Sequence, residues 1–302
     1  MGAEVTAMLH YNSRSDWSNL DFIPSGTKKE LKVVKGNVED SSFMDSETKN
    51  HDIVLHLAAL IGIPYSYVAP LSYVRTNVQG TVNVLESVRK NNIELMINTS
   101  TSETYGTAIY KPIDEKHPLQ GQSPYSATKI AADKLSESYH NSFDTPVITI
   151  RPFNTFGPRQ SSRAVIPTII AQLLTNQDLK LGELKATRDF TYVGDTVKGY
   201  IKAIESKKLY GEVINLGYGK TISIFDTAKL IMKILDKEQE IFVDDKRVRP
   251  ENSEVFELVS DNSKAKKVLN WQPRLTFNEG LLETISFVKN NLDFYRSNLY
   301  NI

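Results

Sequence analysis

Short β-branched runs alternate with longer amphipathic stretches over the first half of the chain. "EVTAML" (4–9), "LKVVKG" (31–36) and "DIVLHLAAL" (52–60) read as strands. The third is a nearly continuous apolar run, suited to a buried central strand. Val74, Val78, Val82, Leu85 and Val88 recur at steps of four and three, which predicts a helix over residues 73–92. "ELMINTSTSE" (94–103) and "PVITIRPFN" (146–154) read as two further strands. Between them "SPYSATKIAADKLSESYHNSF" predicts a helix capped by Ser123, with Pro124 at its first position.

After about residue 155 the pattern changes. Residues 164–177, 221–237 and 278–291 look helical, and "KLGE", "EVINLG" and "EIFVDD" look like short strands between turns. The whole predicts an α/β fold. It is a doubly wound, Rossmann-like parallel sheet over residues 1–155 followed by a smaller α/β unit over 156–302. Some segments of the second part would return to the first. Ligands in such sheets collect beyond the carboxyl ends of the strands.

Composition narrows the partners. The chain has 302 residues, 40% hydrophobic, enough for a substantial core. Lys and Arg total 36 against 36 Asp and Glu, with no basic block, which argues against nucleic acid or an anionic membrane as partner. No apolar run is long enough to span a bilayer and no secretory leader is evident, so the cytoplasm is the expected compartment. With Cys 0, disulfides and thiolate chemistry are excluded. No metal site is expected.

The carboxyl end of the strand "LMINTS" delivers "TSTSETYG", a run of hydroxyls with one carboxylate, Glu103. In "YSATK", Tyr125 and Lys129 stand four apart, on one helical face. A neighbouring ammonium lowers a phenol's pKa and equips it as a base, and Thr101 could hold a substrate oxygen beside it. Taken alone, that pair is more often a packed Tyr and a solvated Lys. The hydroxyl-rich strand end upstream favours function.

In order, "HLAAL", "TNVQGT", "TSTSETYG", "YSATK", "RPFNTFGPRQ", "RDFTYVGD" and "RPENSEV" resemble the extended short-chain dehydrogenase/reductase family, the NAD-dependent epimerases and dehydratases of nucleotide sugars. The likeness runs to "LNWQPRLTFNEGLLETISF" near the C-terminus. It implies that Tyr125 takes the proton of the sugar C4 hydroxyl and that Thr101 holds the same oxygen. Lys129 would lower the phenol's pKa and, with Tyr125, contact the cofactor. Ala58 and Ala59 would line the cofactor's diphosphate track, Asn77 would position the adjoining strand and helix, and Asn37 and Val38 would flank the adenine. Ser102 would contact substrate, and Asn154, Arg188 and Arg249 would reach its diphosphate, for which two Arg forks are well suited. Family members commonly dimerise through the helices carrying "TNVQGT" and "YSATK", so a homodimer is expected.

Glu103 bears on the reaction. Simple 4-epimerases usually lack a carboxylate there, whereas a 4,6-dehydratase needs one to remove the C5 proton after C4 oxidation. Ser102 stands where dTDP-glucose dehydratases typically carry Asp, so Glu103 would serve as both base and acid. "RPFNTFGPRQSSRAVIPTIIAQLL" looks most like the dehydratases of the legionaminic-acid branch of bacterial surface sugars, which implies a nucleotide-linked N-acetylhexosamine. The alternatives are a UDP-glucuronate decarboxylase, a 4-epimerase, or a catalytically dead homologue serving as a structural subunit.

The family's opening strand, glycine-rich turn and helix have no counterpart here. "EVTAML" therefore reads as the family's second strand, and Met1 as an internal methionine taken for the start. That reading leaves two strand edges unpaired and the phosphate cradle missing. In "LHYNSRSDW", Arg14 could meet the 2′-phosphate of NADP. NAD is the expected cofactor, because the reaction regenerates it.

Overall fold

The computed structural model describes residues 2–13, 16–206 and 208–295. Arg14 and Met1 lie outside them. The strands are β1 Thr6–His10, β2 Lys32–Gly36, β3 Ile53–His56, β4 Leu95–Thr99, β5 Val147–Pro152, β6 Asn154–Phe156, β7 Leu179–Leu181, β8 Thr187–Arg188, β9 Phe190–Tyr192, β10 Val213–Leu216, β11 Ile222–Ser223, β12 Ile241–Val243 and β13 Glu257–Leu258. The helices are α1 Ser25–Glu30, α2 Ser41–Thr48, α3 Ile63–Val68, α4 Pro70–Tyr73, α5 Gly80–Lys90, α6 Pro124–Phe143, α7 Val165–Leu174, α8 Val193–Glu205, α9 Ile224–Leu235, α10 Ser263–Leu269 and α11 Phe277–Asn290.

The main sheet is parallel, in the order β10-β5-β4-β3. Its β4 and β5 bury almost every side chain, as strands covered on both faces do. One face packs against α2, α5 and α6 through Met44, Val84, Leu85, Val88 and Leu135. The other packs against α8 and α10 through Tyr200, Ala203, Ala265 and Leu269, with Trp271 beside them. This is the expected Rossmann-like α/β architecture. A second core joins α7, α9 and α11 to the short strands of the C-terminal half.

β1 and β2 form a separate parallel pair. Met8 of β1 and Val54 of β3 pack on the same helical layer, yet the two strands are not hydrogen-bonded to each other. Their facing edges border one cavity of about 970 Å³. Among the described residues β3 is the last strand of its sheet, and the gap toward β1 lies on the side its apolar run would fill. Ile53, Leu55 and Leu57, alternating on one face, are 38%, 43% and 62% exposed.

The helix predicted over 73–92 is composite. Residues Val74–Gln79 form a π-helical turn between α4 and α5. The wider turn rotates the downstream face, so Val84, Leu85 and Val88 are buried while Val74 is exposed. It also turns Asn77 inward.

Candidate active site

β4 ends at Thr99, and Thr101 caps a 3-10 turn over Ser102–Tyr105 by accepting from the Glu103 amide at 3.2 Å. Thr104 Oγ1 donates back to the Thr101 carbonyl at 2.8 Å. Gly106 closes the turn at φ +61°, where a Cβ would stand 2.8 Å from the Gln120 and Gln122 side chains. Glycine is needed there on both counts. The fold thereby presents Thr101 and Glu103 just beyond a buried strand. Ser102 is itself buried in the turn, which leaves it little surface for the substrate contact expected of it.

α6 starts as the sequence predicts, with Pro124 first and a reciprocal capping box between Ser123 and Ser126. Its first turn brings Tyr125 beside Thr101, close enough for the Thr101 side chain to bear on the phenol's pKa. Lys129, one turn on, is buried and donates to the Thr99 carbonyl at 2.6 Å. The Lys129 ammonium is turned to the Thr99 carbonyl, and burial sets the direction of the phenol's pKa. Burial pushes Tyr125 up, the Thr101 side chain opposes this, and the nearby Glu103 and Tyr73 add to the rise. Burial also lowers the Lys129 ammonium. Desolvation outweighs the helical proximity of the pair.

Glu103 faces the C-terminal half. Its Oε2 lies 3.8 Å from Arg249 Nη1, and the same nitrogen lies 3.8 Å from Glu254 Oε1. Arg188 Nη2 donates to Glu254 Oε1 at 3.0 Å, and its Nη1 donates to the Thr187 carbonyl at 3.0 Å. Arg188 is thus largely engaged within the protein. A cavity of about 290 Å³ is lined by Asn154, Arg188 and Arg249, and also by Gln160, Arg163 and Arg247. Asn154 Oδ1, Gln160 Oε1 and Arg249 Nη1 are buried without a hydrogen-bond partner. The open Arg249 Nη1, among four guanidinium groups, suits an oxygen-rich anion, whereas Asn154 Oδ1 and Gln160 Oε1 are acceptors that call for a donor. Arg163 and Arg247 escaped the sequence reading, although Arg163 closes the quoted block "RPFNTFGPRQSSR" and Arg247 stands two residues before Arg249.

The expected cofactor residues line the other cavity. Asn37, Val38, Ala58, Ala59 and Leu60 all border the space between β1 and β3. Asn77 accepts from the Leu60 amide at 2.8 Å, donates to the Leu60 carbonyl at 2.9 Å and donates to Thr128 Oγ1 at 3.1 Å. It therefore ties the loop after β3 to α6. Val38 is packed in the core against the α5 layer, and Asn37 Oδ1 accepts from the Glu39 amide at 3.0 Å. Tyr125, Tyr73 and Ile63 cluster with Leu60, which borders this cavity, while Glu103 stands beside Arg249 of the smaller one. Among the described residues no glycine-rich turn and helix N-terminus face the β1–β3 gap, so the diphosphate of a dinucleotide has no cradle there.

Among the described residues there is no cluster that could hold a metal ion, and no helix is long and apolar enough to cross a membrane. Residues 1–284 match the family described as GDP-mannose 4,6 dehydratase. The chain belongs to that family. It is 31% identical over 291 residues to human dTDP-D-glucose 4,6-dehydratase, covering 94% of this chain and 79% of that one. The solved structure of Pal from Bacillus thuringiensis superposes with a TM-score of 0.86 at 29% identity, covering 96% of this chain and 92% of Pal. UDP-glucuronic acid 4-epimerase from Bacillus cereus, solved with UDP-glucuronic acid and NAD, superposes at 0.82 and 28% identity, covering 90% and 84%. The family's relatives thus include both sugar-nucleotide dehydratases and epimerases.

Proposed function

We propose that the chain is a nucleotide-sugar 4,6-dehydratase acting on a nucleotide-linked N-acetylhexosamine, with NAD as its recycled cofactor. The observation that carries this reading is the carboxylate of Glu103, set on the same strand end as the Thr101–Tyr125 pair. Simple 4-epimerases usually lack a carboxylate at that place. When bound, the nicotinamide supplies the acceptor and later the donor of the hydride. The side chains do the rest. Tyr125 and Thr101 hold the C4 oxygen, and Tyr125, as the phenolate, takes its proton. Burial raises the phenol's pKa, so this step needs the deprotonated form and should quicken as pH rises. Once C4 is a ketone the C5 proton is acidic. Glu103 removes it and returns it to the C6 hydroxyl, so that the C6–O bond breaks and water leaves. The C5–C6 double bond so formed would take back the hydride at C6 and a solvent-derived proton, delivered by Glu103, at C5. Arg249, with its open Nη1, holds the diphosphate, and Arg163 lines the same cavity. Two variants separate the steps. Tyr125→Phe should abolish C4 oxidation, seen as loss of the nicotinamide absorbance change. Glu103→Gln should keep that oxidation and lose dehydration. Full dehydration by Glu103→Gln would refute the assignment.

The phosphate cradle is proposed to come from polypeptide outside residues 1–302, as a parallel strand between β1 and β3 followed by a helix over Ile53, Leu55 and Leu57. The support is the pair of facing parallel edges and the exposed alternate face of β3. Titration with NADH, followed by nicotinamide fluorescence, tests it. The 302-residue chain should bind weakly, and a chain extended upstream of Met1 should bind tightly. Tight, saturable binding by the 302 residues alone would overturn this part.

A further inference from the structure

We propose that Asp133 is a positioning residue that holds the strand end bearing Thr101 against the helix bearing Tyr125, and that it acts through Ser100. Its catalytic consequence rests on the dehydratase reading above. Asp133 follows Lys129 by four residues, so both project from one face of α6. Lys129 donates to the Thr99 carbonyl at 2.6 Å, and Ser100 Oγ donates to Asp133 Oδ2 at 2.7 Å. Two successive turns of the helix therefore grip two successive residues of the strand end. The next residue is Thr101.

The Asp133 carboxylate is itself fixed. Arg151 reaches its Oδ2 through Nε at 3.0 Å and Nη2 at 2.9 Å, and Asn98 Nδ2 donates to Oδ1 at 3.3 Å. Both members of the ion pair are almost fully buried, so neither swings out to solvent. Arg151 continues the network: its Nη1 donates to the Tyr105 hydroxyl at 3.0 Å, and that hydroxyl donates to Asn215 Oδ1 at 2.7 Å. Tyr105 ends the turn that carries Glu103. The Asp133–Arg151 pair thus reaches the segment 101–105 from both sides, through Ser100 before it and Tyr105 after it. Asp133 also favours the charged form of the buried Lys129 against the penalty of desolvation.

A purely structural ion pair would show its effect in stability alone. The bond from Ser100 can be removed without touching either charge, which gives a double-mutant cycle of Ser100→Ala, Asp133→Asn and the pair together. Two quantities are followed: hydrogen exchange of a peptide covering 99–105, with thermal melting as the stability monitor, and kcat and KM on UDP-N-acetylglucosamine. Ser100→Ala should melt close to the parent. Its 99–105 segment should exchange about tenfold faster, and kcat should fall about tenfold with KM within about twofold, because a misplaced reacting pair loses rate more than binding. The double variant should match Asp133→Asn in exchange and in kcat. Unchanged exchange in Ser100→Ala, or single effects that multiply in the double variant, would overturn the proposal. Tyr125→Phe runs alongside as a control. If it keeps full turnover the dehydratase reading fails, and the exchange cycle still decides the role of Asp133.

Discussion

Replacing Arg188 by Met separates two roles that the sequence reading merged. Arg188 and Glu254 are 8% and 9% exposed and pair at 3.0 Å. Removing the guanidinium leaves a buried carboxylate whose remaining cation, Arg249, stands 3.8 Å away. Breaking one side of a buried pair destabilises by about 3–5 kcal/mol. The Thr187 carbonyl loses its side-chain donor as well. For a chain of this size each kcal/mol moves the midpoint by roughly 2–4 °C, so Arg188→Met should melt on the order of 10 °C lower. Adding Glu254→Gln removes the stranded charge and should recover most of the loss. Calorimetry measures both. A parallel titration with UDP should show Arg188→Met within about threefold of the parent and Arg249→Met much weaker, since only Arg249 keeps a buried open nitrogen. A melting point within about 1 °C of the parent, or no recovery in the double variant, would refute the argument that Arg188 is held by a desolvated pair.

His56 gives the chain an acid-sensitive element. Burial, with Lys129 adding to it, pushes His56 from an ordinary value of 6.5 down to about 3. The unfolded chain takes up this proton near pH 6.5 and the native one does not until about pH 3. The stability contributed is therefore whole above pH 6.5 and is lost on acidification at up to about 1.4 kcal/mol per pH unit. His56→Gln should flatten the melting profile between pH 6.5 and 4, and an unchanged slope would contradict this. Gly106→Ala should lower stability by at least about 1 kcal/mol through its left-handed φ and its crowding on Gln120 and Gln122. It should also lower kcat by displacing the turn that holds Glu103. Melting and kinetics of the purified variant check both effects.

Much of the site was legible because its parts are local. The Ser123–Pro124 start of α6, the four-residue spacing of Tyr125 and Lys129, and the hydroxyl run after β4 are all written in short stretches. What escaped depends on long-range packing. The apolar run 52–60 reads as a central strand, and among the described residues β3 has a hydrogen-bonded neighbour on one side only; which neighbour an apolar strand has is not written in its composition. The π turn at 74–79 rotated the predicted valine stripe, and no propensity marks such a turn. Lys129 lies on the same face as Tyr125, but where its ammonium points was decided by the Thr99 carbonyl. Asp133 and Arg151 lie 18 residues apart and read singly as ordinary surface charges; only the sheet and α6 together bury them as a pair. The motif implied a diphosphate contact for Arg188, and its partner within the protein, Glu254, came only with the fold.

The most direct test of the central claim is the product formed in heavy water. The NAD-loaded chain, extended upstream of Met1 if the 302 residues alone do not hold the cofactor, would be incubated with UDP-N-acetylglucosamine and analysed by mass spectrometry and NMR. The account predicts a 4-keto product lighter by one water, with solvent deuterium at C5, and no such product from the Glu103→Gln variant. An isomer of unchanged mass with no deuterium at C5, made equally well by Glu103→Gln, would show that C4 chemistry alone occurs here and would contradict the role assigned to Glu103.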